Sequence, residues 1–152
     1  ATSALLFLDP VDSIKVIKQD VTIFSEEGYY MKLYGTIPTN IPKYYLFKGY
    51  SNDSLLSGIN DIHYADNKYV SGKLDGIDMR YKCKPNETAK LKIYSLTLPA
   101  YKFYEAANLQ LNNDGGFFST PPANVPSMFN NGAIGLFQCS AVQVLTTFVV
   151  KQ

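Results

Sequence analysis

Apolar and polar residues alternate along most of the chain with the period of two that extended backbone imposes, because successive side chains of a strand point to opposite faces. The alternation is clear from Tyr29 to Ile37: Tyr29, Met31, Leu33 and Ile37 share one face, and Tyr30, Lys32, Tyr34 and Thr36 share the other. It returns after Gly76, with Ile77, Met79, Tyr81 and Cys83 set against Asp78, Arg80, Lys82 and Lys84. Leu91 and Ile93 resume the apolar face beyond a turn at Pro85, Asn86 and Glu87. A hairpin with a five-residue loop there sets Lys84 across from Lys90 and Lys82 across from Lys92, and like charges directly opposite are unfavourable. Either the register differs, or that face meets water or an anion.

Other segments fill in a β-rich plan. Ile14 to Phe24 alternates imperfectly, as an edge or twisted strand does, and Glu26, Glu27 and Gly28 mark a turn. The prolines of the next turn, Pro38 and Pro42, lead into a strand from Lys43 to Tyr50, and the strands on either side are predicted to form a hairpin with a long loop. The stretch from Ser51 to Gly76 is dense in Asn, Asp, Ser and Gly, whose side chains compete for local backbone bonds, so it reads as loops and short strands. Ala133 to Val150 reads as a long strand that bends or breaks around Ser140.

One segment changes period. Thr97 suits an N-cap and Pro99 is tolerated in a first helical turn, so a helix is predicted over about 98–111. Ala100, Tyr104, Ala107 and Leu111 form its apolar stripe, and the run Asn112, Asn113, Asp114, Gly115 and Gly116 stops it. The predicted fold class is all-β: a sandwich or partly closed barrel of about seven or eight strands with one α-helix before the last strand.

Composition agrees with this plan. At 152 residues the chain fits a single β-rich domain spanning 1–152, large enough for its own core, and its 12 Tyr and 9 Phe without Trp favour sheet. Its 14 Lys plus Arg against 13 Asp plus Glu leave no field to draw it onto nucleic acid or an anionic membrane. No apolar run approaches the roughly 18 residues of a membrane span, and the opening ATSALLFL lacks the basic region and apolar length of a signal peptide, so the chain reads as cytosolic or already trimmed. Cys83 and Cys139 are too far apart for a metal knuckle. Each sits in an alternating apolar run, which suits two buried thiols; a disulfide tying the last strand to a middle one is the alternative.

Candidate chemistry is sparse. His63 is the sole histidine and lies in no catalytic motif, so it reads as a surface or loop residue. Asp53, Asn60, Asp61, Asp66, Asn67, Asp75 and Asp78 offer oxygens to calcium, but EF-hand spacing is absent and turn chemistry accounts for them. The cations from Arg80 to Lys92 read first as a solvated strand face, and the sequons at Asn52 and Asn86 carry no weight. The loop holding Phe117, Phe118, Met128 and Phe129 around three prolines is either anchored to the core or a preorganised contact surface.

These segments carry a resemblance. YYLFKGYSNDSLLSGIND, LKIYSLTLPAYKFYEAANLQ and FFSTPPANVPSMFNNGAIGLFQ resemble the C-terminal half of a Bacteroidetes lipoprotein family, the domain of unknown function numbered 4249, over about residues 29–141. Thr97, Tyr101 and Tyr104 occupy the positions of its helix pattern, Phe118 and Pro121 its loop, and Asn131, Gly132, Gly135 and Phe137 its closing strand. Ala133 and Ile134 between the glycines, and Met128 and Phe129 before them, depart from it. The resemblance implies the C-terminal part of a longer lipid-anchored protein of the outer membrane, facing the periplasm or the surface, with a TonB-dependent transporter as partner. It supplies no catalytic residue, metal or cofactor.

The function expected is therefore non-enzymatic: a cell-envelope accessory or binding domain for nutrient uptake, recognising a glycan or peptide through aromatic side chains. The candidate contacts are Tyr44, Tyr45, Tyr50, Tyr64, Phe117, Phe118 and Phe129. A structural or adhesive subunit, and a barrel that binds a small ligand or lipid, are the alternatives.

Overall fold

The computed structural model describes residues 13–21, 26–37, 41–58, 61–68, 72–112, 126–127, 129 and 135–151. Eight strands and one helix follow one another as β1 (Ser13–Gln19), β2 (Gly28–Thr36), β3 (Tyr44–Ser51), β4 (Ser54–Leu55), β5 (His63–Asp66), β6 (Lys73–Cys83), β7 (Thr88–Leu96), α1 (Leu98–Leu111) and β8 (Val142–Phe148). They form two antiparallel sheets. One has the order β1-β2-β6; the other has the order β4-β3-β7-β8, with β5 also paired to β3. The arrangement is a sandwich.

Both expected hairpins give way to crossings between the sheets. β2 lies between β1 and β6, so neither of its edges is open to β3. The proline-bearing connection after β2 instead carries the chain to the other sheet, while Ile37 N–H donates to the Gly72 carbonyl at 2.8 Å and ties the end of β2 to the approach of β6. The turn at Pro85, Asn86 and Glu87 likewise leaves β6 in one sheet and enters β7 in the other. The physical reason lies in the two apolar faces. Met79, Tyr81 and Cys83 of β6 and Ala89, Leu91 and Ile93 of β7 fill the same core from opposite sides, which a flat hairpin cannot achieve. The turn is pinned to the end of β8: Asn86 N–H donates to the Val149 carbonyl at 2.8 Å and Val149 N–H to the Glu87 carbonyl at 2.9 Å.

The lysines that a hairpin would have opposed are consequently spread over both sheets. Lys82 pairs with Glu26 at 2.9 Å, Lys90 with Asp53, and the Lys92 ammonium sits 5.1 Å from the Tyr50 ring centre. The run of cations is not one surface.

A second, smaller core forms a third layer. α1 lays Ala100, Tyr101 and Tyr104 over Leu46 and Leu96 on the outer face of the larger sheet. β3 is therefore covered on both faces along part of its length: Tyr45 and Phe47 point between the sheets, and Tyr44 and Leu46 point to the helix. That double burial explains why its sequence reads as a nearly unbroken apolar run.

The helix bounds are those the sequence predicts, with Thr97 as N-cap and Asn112 as C-cap. Its stripe departs from expectation at the far end, since Leu111 is exposed and Tyr101 joins Ala100 and Tyr104 in the contact. At its last turn Asn108 and Asn112 reach the mouth of a cleft between the sheets.

The closing strand is shorter than predicted. It begins at Val142, after an extended stretch clamped by Ser95, whose N–H donates to the Ala141 carbonyl and whose Oγ accepts the Ala141 N–H, both at 3.0 Å. The expected break near Ser140 is thus held by a side chain of β7. Both thiols are free; Cys83 is buried and Cys139 exposed, so neither the disulfide nor the paired burial holds.

Candidate ligand-binding cleft

β6 is not a regular strand, and its irregularities make a site. Its register against β2 shifts twice: Met79, Arg80 and Tyr81 stand against Met31 alone, and Gly76 is an extra residue between Asp75 and Ile77. Gly76 has φ +75° and Arg80 φ +57°, the left-handed backbone that lets a bulge bend a strand without losing its neighbouring ladder bonds. The bend keeps Met79 and Tyr81 in the core while Asp78 and Arg80 stand at the rim of a cleft of about 700 Å³. β5 forms the opposite wall.

The floor of the cleft is apolar, made by Leu33, Ile37, Phe47, Leu74, Met79 and Ile93 from both sheets. Tyr45 and Tyr64 also line it. Asp61, His63, Asp66, Asp78, Arg80, Asn108 and Asn112 form the polar part. A concave, mostly apolar surface with a few placed polar groups is the usual form of a small-molecule site, and the volume falls within the range of roughly 300–1,000 Å³ typical of one.

The polar groups have distinct environments. Asp78 accepts a hydrogen bond from Lys32 Nζ at 2.8 Å and one from the Arg80 N–H at 2.8 Å. Partial burial alone would push its carboxyl up, but those two donors and the Lys32 charge hold it below the ordinary carboxylate range. Lys32 itself is 8% exposed, and the Asp78 carboxylate is the counter-charge that its burial calls for. Asp61 accepts the Gly58 N–H and Asp66 the Lys68 N–H, each at 3.0 Å, so both cap local turns.

His63 belongs to a strand and is half-buried, which corrects its reading as a surface or loop residue. Its ring stacks on Tyr81, centroids 4.7 Å apart and planes 28° from parallel. Burial pushes its pKa down; the Arg80 charge adds to this, and Asp61 opposes it. Tyr81 donates its hydroxyl to the Phe47 carbonyl at 3.0 Å, and burial raises that phenol well above its usual range.

The structure divides the aromatic residues singled out from sequence. Tyr45 and Tyr64 line the cleft. Tyr44 turns to the helix, 4.9 Å from the Tyr101 ring, and Tyr50 lies on the outer sheet face beneath Lys92. Phe129 is 45% exposed and packs near Gly135. Phe117 and Phe118 lie outside the described residues. Nor do the acidic and amide side chains gather: among the described residues no group of three or more His, Cys, Asp or Glu is placed to hold a metal ion. Asn67 spends its amide on the backbone, accepting Lys43 N–H at 2.9 Å and donating to the Ile41 carbonyl at 2.8 Å.

Sequence reasoning passed over Phe47, Met79, Asp78, Arg80, Asn108 and Asn112 as cleft residues. The available signal was the glycine inside the GIDMR segment, which breaks an otherwise regular strand next to the chain's one arginine.

Comparison with known proteins gives one result: the family model described as a domain of unknown function, DUF4249, matches residues 3–146. No curated protein and no solved structure matches the chain.

Proposed function

The chain belongs to the DUF4249 family, and from that premise we propose that it is a non-catalytic ligand-binding domain of the cell envelope, accessory to a TonB-dependent transporter. The observation that carries the binding reading is the cleft: an apolar floor drawn from both sheets, with aromatic side chains on its walls and a polar rim. Association with a transporter rests on the resemblance to outer-membrane lipoproteins set out above. On this reading the domain captures a nutrient molecule and presents it for uptake.

The test is purification of the full-length parent from its own membrane through a tag on this domain, with mass spectrometry of the co-purifying proteins. Stoichiometric recovery of a TonB-dependent transporter supports the proposal, and recovery of the protein alone overturns the accessory role.

One observation favours a second reading, a structural or adhesive subunit. β8 ends the order of its sheet among the described residues and exposes Val142, Val144 and Phe148. An apolar edge strand is a template for pairing with another chain. Concentration-dependent oligomers that dissolve in Val144→Lys would establish it.

A further inference from the structure

We infer that the cleft takes an apolar ligand bearing one carboxylate, seated with its hydrocarbon part over Leu33, Phe47 and Met79 and its carboxylate on the guanidinium of Arg80. The inference rests on the cleft being a binding site and names what it binds.

The charges at the rim decide the head group. Asp78 is satisfied by Lys32 and by the Arg80 backbone, and Asp61 and Asp66 are engaged with turn amides. Asn112 donates its side-chain amide to the carbonyl and side chain of Asn108, both at 2.9 Å. The Arg80 guanidinium makes no hydrogen bond or ion pair with any described residue, and its charge reaches Asp78 and His63 only through space. It also stands on left-handed backbone, which is strained for a non-glycine residue and persists where the surroundings enforce it. The Asp78 carboxylate supplies that enforcement by holding the Arg80 N–H.

Arginine is the side chain suited to this task. Its planar fork of donors meets both oxygens of a carboxylate at once, which the point charge of lysine does not. The remaining 13 cations of the chain are all lysines. The floor beneath decides the rest of the ligand. A polyhydroxylated sugar set against Leu33, Leu74 and Met79 would leave hydroxyls unpaired in an apolar setting, whereas an alkyl or aryl body removes apolar surface from water.

The experiment compares three probes with one tail and different heads, octanoate, 1-octanol and octylammonium, by calorimetry and by NMR of the Met79 methyl and the His63 ring. Octanoate is expected to bind tightest and to shift both signals. Arg80→Gly, which tolerates positive φ and so keeps the fold, is expected to weaken octanoate roughly tenfold or more and to leave 1-octanol unchanged. Equal binding of the three probes, or unchanged octanoate binding in Arg80→Gly, overturns the carboxylate assignment while leaving the cleft a binding site. If no probe shifts either signal, the cleft reading falls with it.

Discussion

Gly49 lies directly beneath the ring of Tyr81: a Cβ placed on Gly49 would fall 2.5 Å from the Tyr81 Cγ. Tyr81 is 1% exposed and fixed at its far end by the bond to Phe47, so the ring has nowhere to retreat. The pair joins β3 of one sheet to β6 of the other at the centre of the sandwich.

Gly49→Ala is therefore expected to destabilise the fold by about 2–4 kcal/mol in urea unfolding, through overpacking and displacement of Tyr81. In a Tyr81→Leu background, where the ring is gone, the added cost of Gly49→Ala is expected to shrink. Equal costs in the two backgrounds would show that the ring is not the obstacle.

Lys32 and Asp78 predict an unequal pair of single substitutions. Asp78→Ala leaves a buried ammonium alone and is expected to cost about 1–3 kcal/mol, reduced from fully buried cases because Asp78 is partly solvated. Lys32→Met removes the charge itself and is expected to cost less. The sign on acidification follows from the lowered carboxyl: the stabilisation is complete above the unfolded carboxylate range and is lost as pH falls through the folded value, so the wild type is expected to lose stability below about pH 4 more steeply than Asp78→Asn.

His63 titrates in the opposite chemical sense with the same pH sign. Its folded pKa lies below the ordinary histidine value of 6.5, so between the two values the unfolded chain binds the extra proton. Stability is full above that unfolded value, falls as pH drops through it, and levels off below the folded value. Asp61 and Arg80 are the charges that act on the ring, and Tyr81 stacks against it. His63→Phe keeps a ring against Tyr81 and is expected to flatten the stability profile between about pH 8 and pH 5; an unchanged profile would place the acid sensitivity elsewhere.

The two thiols are expected to separate cleanly. Cys139 is exposed and should react with a disulfide reagent in the native protein, while Cys83 is buried and its thiol pushed up to about 11, so it should react only on unfolding. Simultaneous reaction of both in buffer would mean that the core around Cys83 opens readily.

Tyr101 anchors the helix. It meets Tyr44 at 4.9 Å and Tyr64 edge-on at 5.4 Å, so Tyr101→Ala is expected to cost about 2–4 kcal/mol and to loosen α1 in hydrogen exchange. Burial, with Asp66 and Glu105 nearby, pushes its phenol up to about 12. Its contribution is present below the ordinary tyrosine range and is lost as pH rises through the folded value, so alkaline destabilisation should be weaker in the alanine variant.

The strands and helix were largely legible in sequence because their signals are local. The period of two through Met31 and Leu33, and the cap at Thr97 before Pro99, need no distant partner to be read. Strand pairing was less legible. Two strands joined by a turn look like a hairpin whether they lie in one sheet or two, and only the shared demand of Tyr81 and Leu91 for one core separates the cases. The cleft was hardest to see. Arg80 becomes a rim residue through backbone geometry, and Tyr44 and Tyr45, adjacent in sequence and equal in composition, face different cores because strand neighbours point opposite ways.

The shifts in β6 also cast the site as a matter of chain length. Between Asp75 and Lys82 the strand carries three more residues than the matching stretch of β2 from Tyr34 back to Tyr30, one at Gly76 and two in the segment from Met79 to Tyr81. In a regular strand an odd insertion turns every following side chain to the other face. Here the insertions are absorbed as bulges, and what they add is the rim. A deletion series that restored an unbroken ladder to β2 would leave a sandwich with its core strands paired and nothing at its mouth to hold an anion.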